Sequence, residues 1–341
     1  MKQKREITIY DIAKALKISP STVSRGLNNN PIVNIKTRKK IKKIAEEMGY
    51  RQNIIASNLR KKKTNTIGVI IPRFNSYFMS TVISGIEKIA NKKGYNLIIS
   101  QSQESYSKEI NNINTMYNSR VDGLLVSLAY DTENMDHFNL FIKKNIPLIF
   151  FDRVYECPNC INITINNKKA GYEATKHLIK QGCKRIIYLS GNLKRNVYND
   201  RYEGYKKALN DSNITLDKKC IIINMLTEET GIEAAEIILK MKQRPDGIFA
   251  TNDTSGVAAM YQLKKAGLKI PGDIAVVGFN NNPISRVIDP NLSTIDYPGL
   301  KMGEIAAKTL INKLENNIKN EMKPIVLKHE LIKRESSLRY K

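Results

Sequence analysis

Short runs of β-branched and other apolar residues alternate with amphipathic stretches from Ile67 onward, and this alternation constrains the fold more than any other feature of the sequence. The eight runs are IGVII, NLIIS, GLLVS, PLIFF, RIIYLS, IIINM, GIFAT and IAVVGF. They are apolar at consecutive positions, as expected of parallel strands that helices cover on both faces. Eight such pairs of a strand and a helix are too many for one compact sheet, and we therefore predict two doubly wound α/β lobes.

The first fifty residues have a different pattern, which predicts three short helices. Thr8 lies three positions before Asp11, the spacing of a capping box at a helix start. Ser19 followed by Pro20 is a second helix start, because proline at the first helical position gives up no intrahelical hydrogen bond. Asn34 begins a third helix with apolar residues at helical spacing. The tight turn between the first two helices predicts a helix-turn-helix bundle.

Positive charge is concentrated in the same N-terminal region. The net charge of the chain is +24, and residues 1–63 hold seventeen Lys and Arg against four Asp and Glu. The positive charge density is about five times higher there than in the rest of the chain. A basic composition throughout the chain is the alternative explanation, but it does not account for this concentration. The distribution therefore favours a nucleic-acid partner for the N-terminal region.

Other features argue against export, membrane insertion and catalysis. The N-terminus has no apolar run of signal-peptide length, and no apolar stretch approaches the roughly 18 residues of a membrane span. We find no nucleophile elbow, no phosphate-binding loop and no zinc-protease motif. We therefore expect a cytoplasmic protein that has no membrane segment, is not an enzyme and needs no cofactor.

The four cysteines are too few for a disulfide framework in a chain of this length, and we expect reduced thiols. Cys157 and Cys160 have the spacing of half a zinc site or of a redox pair. A zinc site needs two further ligands. A redox pair normally opens a helix, whereas this pair precedes the strand-like INITI. We interpret the two residues as incidental thiols in a surface loop, with no metal bound.

Motifs along the whole chain also occur in a consistent order. The N-terminal region contains IYDIA, SPSTVSRGLN, GYRQN and ASNLR, and YF, FDR, RYEGY, TND, VVGFN, LSTI and LIKRESS follow. Together they resemble the LacI-type (lactose/galactose repressor) family. One helix-turn-helix motif would be a moderate signal, whereas this ordered set covers essentially the whole sequence and is specific.

The resemblance implies an α/β protein with an all-α headpiece. An N-terminal helix-turn-helix domain would be followed by a two-lobed, periplasmic-binding-protein-like, doubly wound sensor. The expected boundaries are a DNA-binding headpiece at 1–52, a hinge helix or linker at 53–64 and an effector-binding and dimerisation core at 65–341. Lobe 1 would comprise about 65–163 and 294–323, and lobe 2 about 164–293 and 324–341.

The resemblance also implies a DNA-reading surface on the second helix. A helix in the major groove presents its N-terminal side chains to base edges, and the matching positions are Pro20, Ser21 and Arg25. Arg25 can pair with both acceptors of a guanine edge. Lys17 stands in the turn where the family usually has glycine, so we expect a positive φ there. Phosphate contacts are expected at Ser19, Thr22, Asn28, Asn34, Thr37, Tyr50 and Asn53.

In the hinge, Leu59 matches the leucine that the family inserts into the minor groove, and Arg60 lies beside it. An apolar wedge partly unstacks a base step and bends the duplex. The alternative for Leu59 is packing inside a linker helix. Arg60 and the three lysines at 61–63 would supply phosphate contacts, and the alternative for these four is that they only keep the linker soluble.

Asp152, Arg201 and Asn252 align with the polar residues that contact ligand in the family. A charged pair and an amide at strand ends suit hydrogen bonding to adjacent sugar hydroxyls. Tyr77 and Phe78 would stack on the apolar face of a sugar ring, or else pack between the lobes.

Two further effector-binding positions depart from the family. Asn280 stands where the family commonly has aspartate, and therefore brings donors and no charge. Ser127 replaces the bulkier polar groups of some relatives. These differences mean that the identity of the ligand cannot be transferred from a relative.

The resemblance thus predicts a homodimeric transcription regulator that binds a palindromic operator in double-stranded DNA. We expect a repressor of carbohydrate-utilisation genes, controlled by a sugar or a sugar derivative in the cleft between the lobes. Because the chain has no apolar heptad tail, we expect a dimer instead of a tetramer. One alternative is a regulator whose core answers to a partner protein. Another is a solute-binding protein, against which the basic headpiece argues.

Overall fold

The computed structural model describes residues 7–50, 63–155, 157, 160–316 and 323–339. The chain divides into two compact units, Met1–Thr64 and Asn65–Lys341. We call the first unit the headpiece and the second the core. The predicted DNA-contacting residues Asn53, Leu59 and Arg60 lie outside the described residues.

The headpiece contains the three predicted helices, each with a polar residue at its start. They are α1 (Ile9–Leu16), α2 (Pro20–Leu27) and α3 (Ile35–Glu47). The Asp11 carboxylate accepts hydrogen bonds from the backbone N–H of Thr8 at 2.8 Å and from its hydroxyl at 2.7 Å. The Ser19 hydroxyl oxygen accepts from the N–H of Thr22 at 3.1 Å. Asn34 caps α3 in the same way. These bonds satisfy N–H groups that have no partner inside the helix.

The headpiece helices enclose a small apolar core. Lys17 ends α1 in the left-handed conformation, with φ 52° and ψ 41°, as predicted. Gly26 is buried where α2 meets α3, and a side chain there would overlap Ile41. A glycine inside a helix lowers its intrinsic stability, but here it allows α2 and α3 to pack closely. The buried apolar residues are Ile12, Ala13, Val23, Val33, Ile41 and Ala45.

The core consists of two lobes, each with a six-stranded sheet. The sheet of lobe 1 has the order β11-β5-β4-β3-β1-β2, and all its neighbouring strands are parallel. Its strands are β1 (Thr66–Ile71), β2 (Asn96–Gln101), β3 (Gly123–Val126), β4 (Leu148–Phe151), β5 (Ile161–Ile165) and β11 (Ile325–Leu327). Its helices are α4 (Tyr77–Lys92), α5 (Tyr106–Asn118), α6 (Asn139–Lys143), α11 (Gly299–Asn316) and a 3₁₀ turn (Asp136–Phe138).

The sheet of lobe 2 has the order β12-β10-β9-β8-β6-β7, and only β12 is antiparallel to its neighbour. Its strands are β6 (Ile186–Ser190), β7 (Ile221–Ile223), β8 (Gly247–Ala250), β9 (Ala275–Phe279), β10 (Ser293–Asp296) and β12 (Glu330–Ile332). Its helices are α7 (Asn167–Lys180), α8 (Asn196–Asn210), α9 (Glu228–Leu239), α10 (Asp253–Lys265) and the 3₁₀ helices Lys218–Cys220 and Pro283–Arg286.

All eight apolar runs of the sequence form strands, and the two-lobed α/β architecture is confirmed. The apolar residues of the inner strands β1, β3, β4, β6, β8 and β9 are buried on both faces, which explains why their runs do not alternate with polar residues. The short strands β10, β11 and β12 have no such run.

The chain crosses between the lobes slightly later than predicted. The predicted lobe boundaries at 163, 293 and 323 cut β5, assign β10 to the wrong lobe and place β11 in lobe 2. β5 stays paired with β4 and β11 in lobe 1, and β10 pairs with β9 and β12 in lobe 2. The crossings therefore lie at Asn166, at 297–298 and at 328–329. Each crossing comes after the end of a strand, because the paired backbone groups of a strand cannot leave the sheet without losing their hydrogen bonds.

The prediction that all four cysteines are reduced thiols is wrong for one pair. Cys157 and Cys160 form a disulfide, and their Cα atoms are 5.4 Å apart, a distance that a disulfide spans readily. Cys160 is buried, so it is not a surface thiol. Cys183 and Cys220 are free and buried.

None of the helices in the described part of the chain is both long enough and apolar enough to cross a membrane.

Candidate functional site

The predicted base-reading residues lie on one side of α2. Ser21 and Arg25 are exposed and one helical turn apart, and Pro20 is half-buried at the start of the helix. Within the described residues, no hydrogen bond or ion pair engages the Arg25 guanidinium. Its five N–H donors are therefore available to a partner such as a guanine edge.

The predicted phosphate-contacting residues surround the ends of the headpiece helices, and several of them also stabilise the fold. The Ser19 hydroxyl lies 2.8 Å from those of Ser21 and Thr22. The Asn28 amide donates to the Ser24 carbonyl oxygen at 2.8 Å. Ser19, Asn28 and Asn34 are exposed, whereas Thr22, Thr37 and Tyr50 are half-buried.

A cavity of about 650 Å³ lies between the two lobes of the core. Its walls are formed mainly where parallel strands end, the usual position of a ligand site in doubly wound folds. Six of the seven predicted effector-binding residues line it, and the seventh, Ser127, does not. The six are Tyr77, Phe78, Asp152, Arg201, Asn252 and Asn280.

Arg201 is held in the wall of the cleft by lobe 2. Only 3% of the residue is exposed, its Nε donates to Asn167 Oδ1 at 2.9 Å and its Nη1 donates to the Thr251 carbonyl oxygen at 3.0 Å. Its guanidinium carbon also lies 3.5 Å from the ring centroid of Phe279. Among the described residues Nη2 has no hydrogen-bond partner. Arg201 is thus oriented by the protein and presents one nitrogen to a ligand.

Asp152 faces the cleft from lobe 1 and is not paired directly with Arg201. Its Oδ1 accepts a hydrogen bond from the Tyr297 hydroxyl at 2.9 Å, and its Oδ2 accepts one from Ser127 at 3.3 Å. Burial raises the pKa of the Asp152 carboxyl, while neighbouring arginines oppose that change. Ser127 is fully buried behind this carboxyl. Ser127 therefore does not line the cavity, and a contact between Ser127 and the effector stays a prediction.

Three asparagines of lobe 2 line the cleft in different ways. Asn252 caps α10 through its Oδ1, which accepts from the Ser255 N–H at 2.8 Å, and its amide donates to Leu226 at 3.1 Å. Asn280 has φ 102°, and no described residue bonds to its side-chain amide. Asn282, which no sequence motif had indicated, also lines the cleft; it is 8% exposed, and no described residue bonds to its Oδ1. Unpaired amides in a buried wall suit a ligand with hydroxyl groups.

Asp253 anchors the loop that carries Asn280 and Asn282. Its carboxylate accepts hydrogen bonds from the Asn282 N–H at 2.6 Å and from the Thr294 hydroxyl at 2.7 Å. Complete burial raises the pKa of Asp253 to about 7. The carboxyl therefore positions two residues of the cavity wall without lying in that wall itself.

Aromatic rings form the apolar part of the wall. Tyr77 is 47% exposed and can cover one face of a ligand ring. Phe78 is buried and stacks on Tyr297, with ring centroids 4.3 Å apart. Of the two alternatives for Phe78, the structure therefore favours packing. Tyr297, which also binds Asp152, was not foreseen because it follows a short strand with no distinct pattern.

A charged cluster at the cleft was also missed. Glu104 forms ion pairs with Arg153 at 2.6 Å and with Arg73 at 3.5 Å. Arg153 Nη2 also donates to the Tyr198 hydroxyl of lobe 2 at 3.1 Å. Arg153 belongs to the FDR motif, so the motif could have identified it. Glu104 follows β2 and has no motif of its own.

Two glycines bring α7 and α8 into backbone contact and so determine where Arg201 lies. A Cβ at Gly171 would overlap the backbone of Arg201, and a Cβ at Gly204 would overlap the backbone of Lys168. The contacts involve backbone atoms, so a side-chain rotation cannot relieve the overlap.

We expect Gly171→Ala to destabilise the core by about 1–3 kcal/mol, because the two helices must separate. It should also weaken ligand binding by displacing Arg201. The control is Gly272→Ala at an exposed position whose nearest neighbour is 3.3 Å from the added Cβ, with an expected change within about 0.5 kcal/mol. Chemical denaturation measures both. Equal unfolding free energies for the two variants would contradict the proposed role of the close contact between α7 and α8.

Comparisons with known proteins agree with both units of the fold. The sequence model for bacterial regulatory proteins of the lacI family matches residues 8–53, and that for a periplasmic binding protein-like domain matches residues 175–337. Catabolite control protein A of Priestia megaterium is 32% identical over 332 residues, which is 97% of this chain and 99% of that protein.

Other relatives are similar over the same length. The transcriptional repressor PurR of Vibrio atlanticus (strain LGP32) is 32% identical over 96% of this chain and 98% of its own. The ribose operon repressor of Haemophilus influenzae is 32% identical with the same coverage.

Solved structures have the same fold. The lac repressor dimer bound to operator has a TM-score of 0.86 at 24% identity, covering 98% of this chain and 100% of that chain. A LacI family regulator from Enterococcus faecium with bound ribose has a TM-score of 0.72 at 26% identity, covering 81% of this chain and 100% of that chain.

Proposed function

The chain belongs to the lacI family of bacterial regulatory proteins, and on that premise we propose that a sugar-like effector in its cleft controls binding of its headpiece to operator DNA. The chain is a DNA-binding transcription regulator and not an enzyme. The proposal adds that it acts as a dimer in the cytoplasm and represses carbohydrate-utilisation genes. The single observation that carries the proposal is the cleft, where Arg201, Asp152, Asn280 and Asn282 surround a cavity of about 650 Å³.

The chemistry of the cleft supports a ligand with several hydroxyl groups. Arg201 Nη2 is a charged donor, and the carboxyl of Asp152 and the amides of Asn280 and Asn282 add acceptors and donors on other sides. Tyr77 offers a ring face next to them. Polar groups around the edge of a ligand and an aromatic ring on its face suit a sugar. The ribose-bound relative gives a precedent for this class of ligand.

The headpiece supports operator binding. Arg25 and Ser21 are exposed on α2, and exposed lysines follow one another along α3. A dimer would present two such headpieces to two half-sites, as in the lac repressor dimer on its operator. Ligand in the cleft would change the angle between the lobes and so the spacing of the headpieces. A coupling of only about 1–3 kcal/mol is enough to switch operator occupancy.

Selection of bound sequences from random double-stranded DNA tests the DNA-binding part of the proposal. We expect an approximately palindromic site whose affinity falls by about 10³–10⁵ between 50 and 200 mM salt, because several phosphates are neutralised. Mobility-shift titrations at four salt concentrations measure this slope, and a scrambled site of equal length is the control.

A selected site without two-fold symmetry would contradict the dimer. Equal affinity for the scrambled site would contradict specific regulation. A thermal-shift screen against sugars tests the effector, and a response only to a protein partner would favour the alternative in which the core answers to another protein.

A further inference from the structure

One carboxylate, that of Glu104, engages two of the three guanidinium groups that line the cleft. Its Oε2 lies 2.6 Å from Arg153 Nη1, and its Oε1 lies 3.2 Å from Arg153 Nη2 and 3.5 Å from Arg73 Nε. Only 9% of the Glu104 and Arg153 side chains is exposed. This two-point geometry is that of a carboxylate or phosphate bound to an arginine fork. Glu104 therefore occupies the position that an anionic ligand would take.

The remaining donors of Arg153 are also engaged. Its Nη1 donates to the Leu128 carbonyl oxygen at 3.4 Å, and its Nη2 donates to the Tyr198 hydroxyl at 3.1 Å. Each terminal nitrogen carries two N–H groups, so the two bonds to Glu104 and these two account for all four. Arg153 consequently has no terminal N–H left for a ligand.

The backbone holds Glu104 in this position. Gln103 and Glu104 both lie in the left-handed region, with φ 51° and 63°. Non-glycine residues adopt this conformation at some cost and only where the surrounding structure imposes it. The loop after β2 thus turns the carboxylate towards Arg153.

The other charged groups of the cavity wall also disfavour an anionic ligand. Among the described residues that line the cavity, three guanidinium groups face four carboxyl groups, those of Glu104, Asp152, Glu228 and Glu229. Arg201 is the guanidinium that remains, and Asp152 stands on the opposite side. A phosphate would find only one guanidinium in this part of the wall that no described carboxylate binds, that of Arg201, and it would also meet several carboxylates, whose like charge opposes its binding. A neutral ligand meets no such opposition.

We propose that Glu104 determines the charge specificity of the cleft, because it neutralises Arg153 and Arg73 and restricts the effector to uncharged ligands such as unphosphorylated sugars. This inference rests on the proposed function in one respect only, namely that the cleft is the effector site. The inference predicts that the cleft binds a free sugar in preference to its phosphate ester, a preference that the fold alone does not predict.

The first experiment uses the unaltered protein. Neutral sugars and their phosphate esters are compared in matched pairs by thermal shift and then calorimetry, at constant ionic strength. We expect the neutral member of any binding pair to bind at least tenfold more tightly. A pair in which the phosphate ester binds more tightly would overturn the inference, and this test needs no variant.

The second experiment removes the negative charge of Glu104 and uses inorganic phosphate as the probe. Glu104→Gln keeps the shape of the side chain but releases the charge of Arg153. We expect the variant to be stabilised by phosphate at a concentration at least tenfold lower than the unaltered protein needs, with chloride of equal ionic strength as the reference. Glu236→Gln makes the same charge change at an exposed position of α9 outside the cavity, and should behave as the unaltered protein.

The headpiece contributes equally to phosphate binding in all three proteins, so only the difference between them matters. An equal phosphate response of Glu104→Gln and Glu236→Gln would overturn the role of Glu104. If no sugar binds in the first experiment, the sugar effector of the proposed function is contradicted. The phosphate comparison still decides whether Glu104 keeps anions out of the cleft.

Discussion

Replacing Arg201 by alanine is expected to abolish the response to effector while operator binding survives. Among the described residues, its Nη2 is the one charged donor that lobe 2 presents to the cleft, and a hydrogen bond from a charged group contributes about 1.5–3 kcal/mol. Loss of that bond corresponds to an affinity about 10- to 100-fold lower. The headpiece is a separate compact unit, so its own fold does not depend on Arg201.

The same variant should also destabilise the core. Arg201 is buried, and its removal leaves Asn167 Oδ1 and the Thr251 carbonyl oxygen without their donor. It also leaves the Asp152 charge without its nearest opposing guanidinium in lobe 2. Leaving a buried acceptor without its donor costs about 1–3 kcal/mol for each group. Calorimetry with the effector must therefore be accompanied by a denaturation curve.

Two further variants separate these effects. Arg201→Lys keeps the charge but lacks the planar fork, so it should lose most of the affinity and less of the stability. Lys207→Ala, on the same helix but at the surface, should change neither. If folded Arg201→Ala protein still binds the effector and leaves the operator normally, Arg201 is not the anchor of the ligand.

Arg25→Ala should lower the ratio of specific to nonspecific DNA affinity by about 10- to 100-fold, because a bidentate arginine–guanine pair contributes about 1–3 kcal/mol of discrimination. Arg25 is exposed and bonded to no described residue, so the fold of the headpiece should not change. Titration of the variant on the selected operator and on scrambled DNA gives both affinities.

Lys61→Ala is the matched control, since Lys61 is predicted from the sequence to contact phosphate only. It should weaken binding to both DNAs about equally and reduce the salt slope. Unchanged discrimination by Arg25→Ala would mean that α2 does not read the base edges as proposed.

The sequence by itself determined the local structure. Thr8, Ser19 and Asn34 cap the three headpiece helices, and Lys17 has the predicted positive φ. All eight apolar runs became strands. These features could be predicted because a cap, a turn or a covered strand depends on residues within a few positions of one another. The function could also be predicted, because the charge asymmetry and the order of the motifs are properties of the linear sequence.

Only the tertiary structure decided which side chains meet in the cleft. Glu104 and Arg153 are 49 positions apart in the sequence, and Asp152 and Tyr297 are 145 positions apart. No periodicity links such residues, because they come together only where the ends of different strands converge. The alignment with the family selected Ser127 and Asn252, but the structure places one behind a carboxyl and uses the other as a helix cap. A motif identifies the position of a residue in the chain, whereas its hydrogen-bond partners depend on the packing of both lobes.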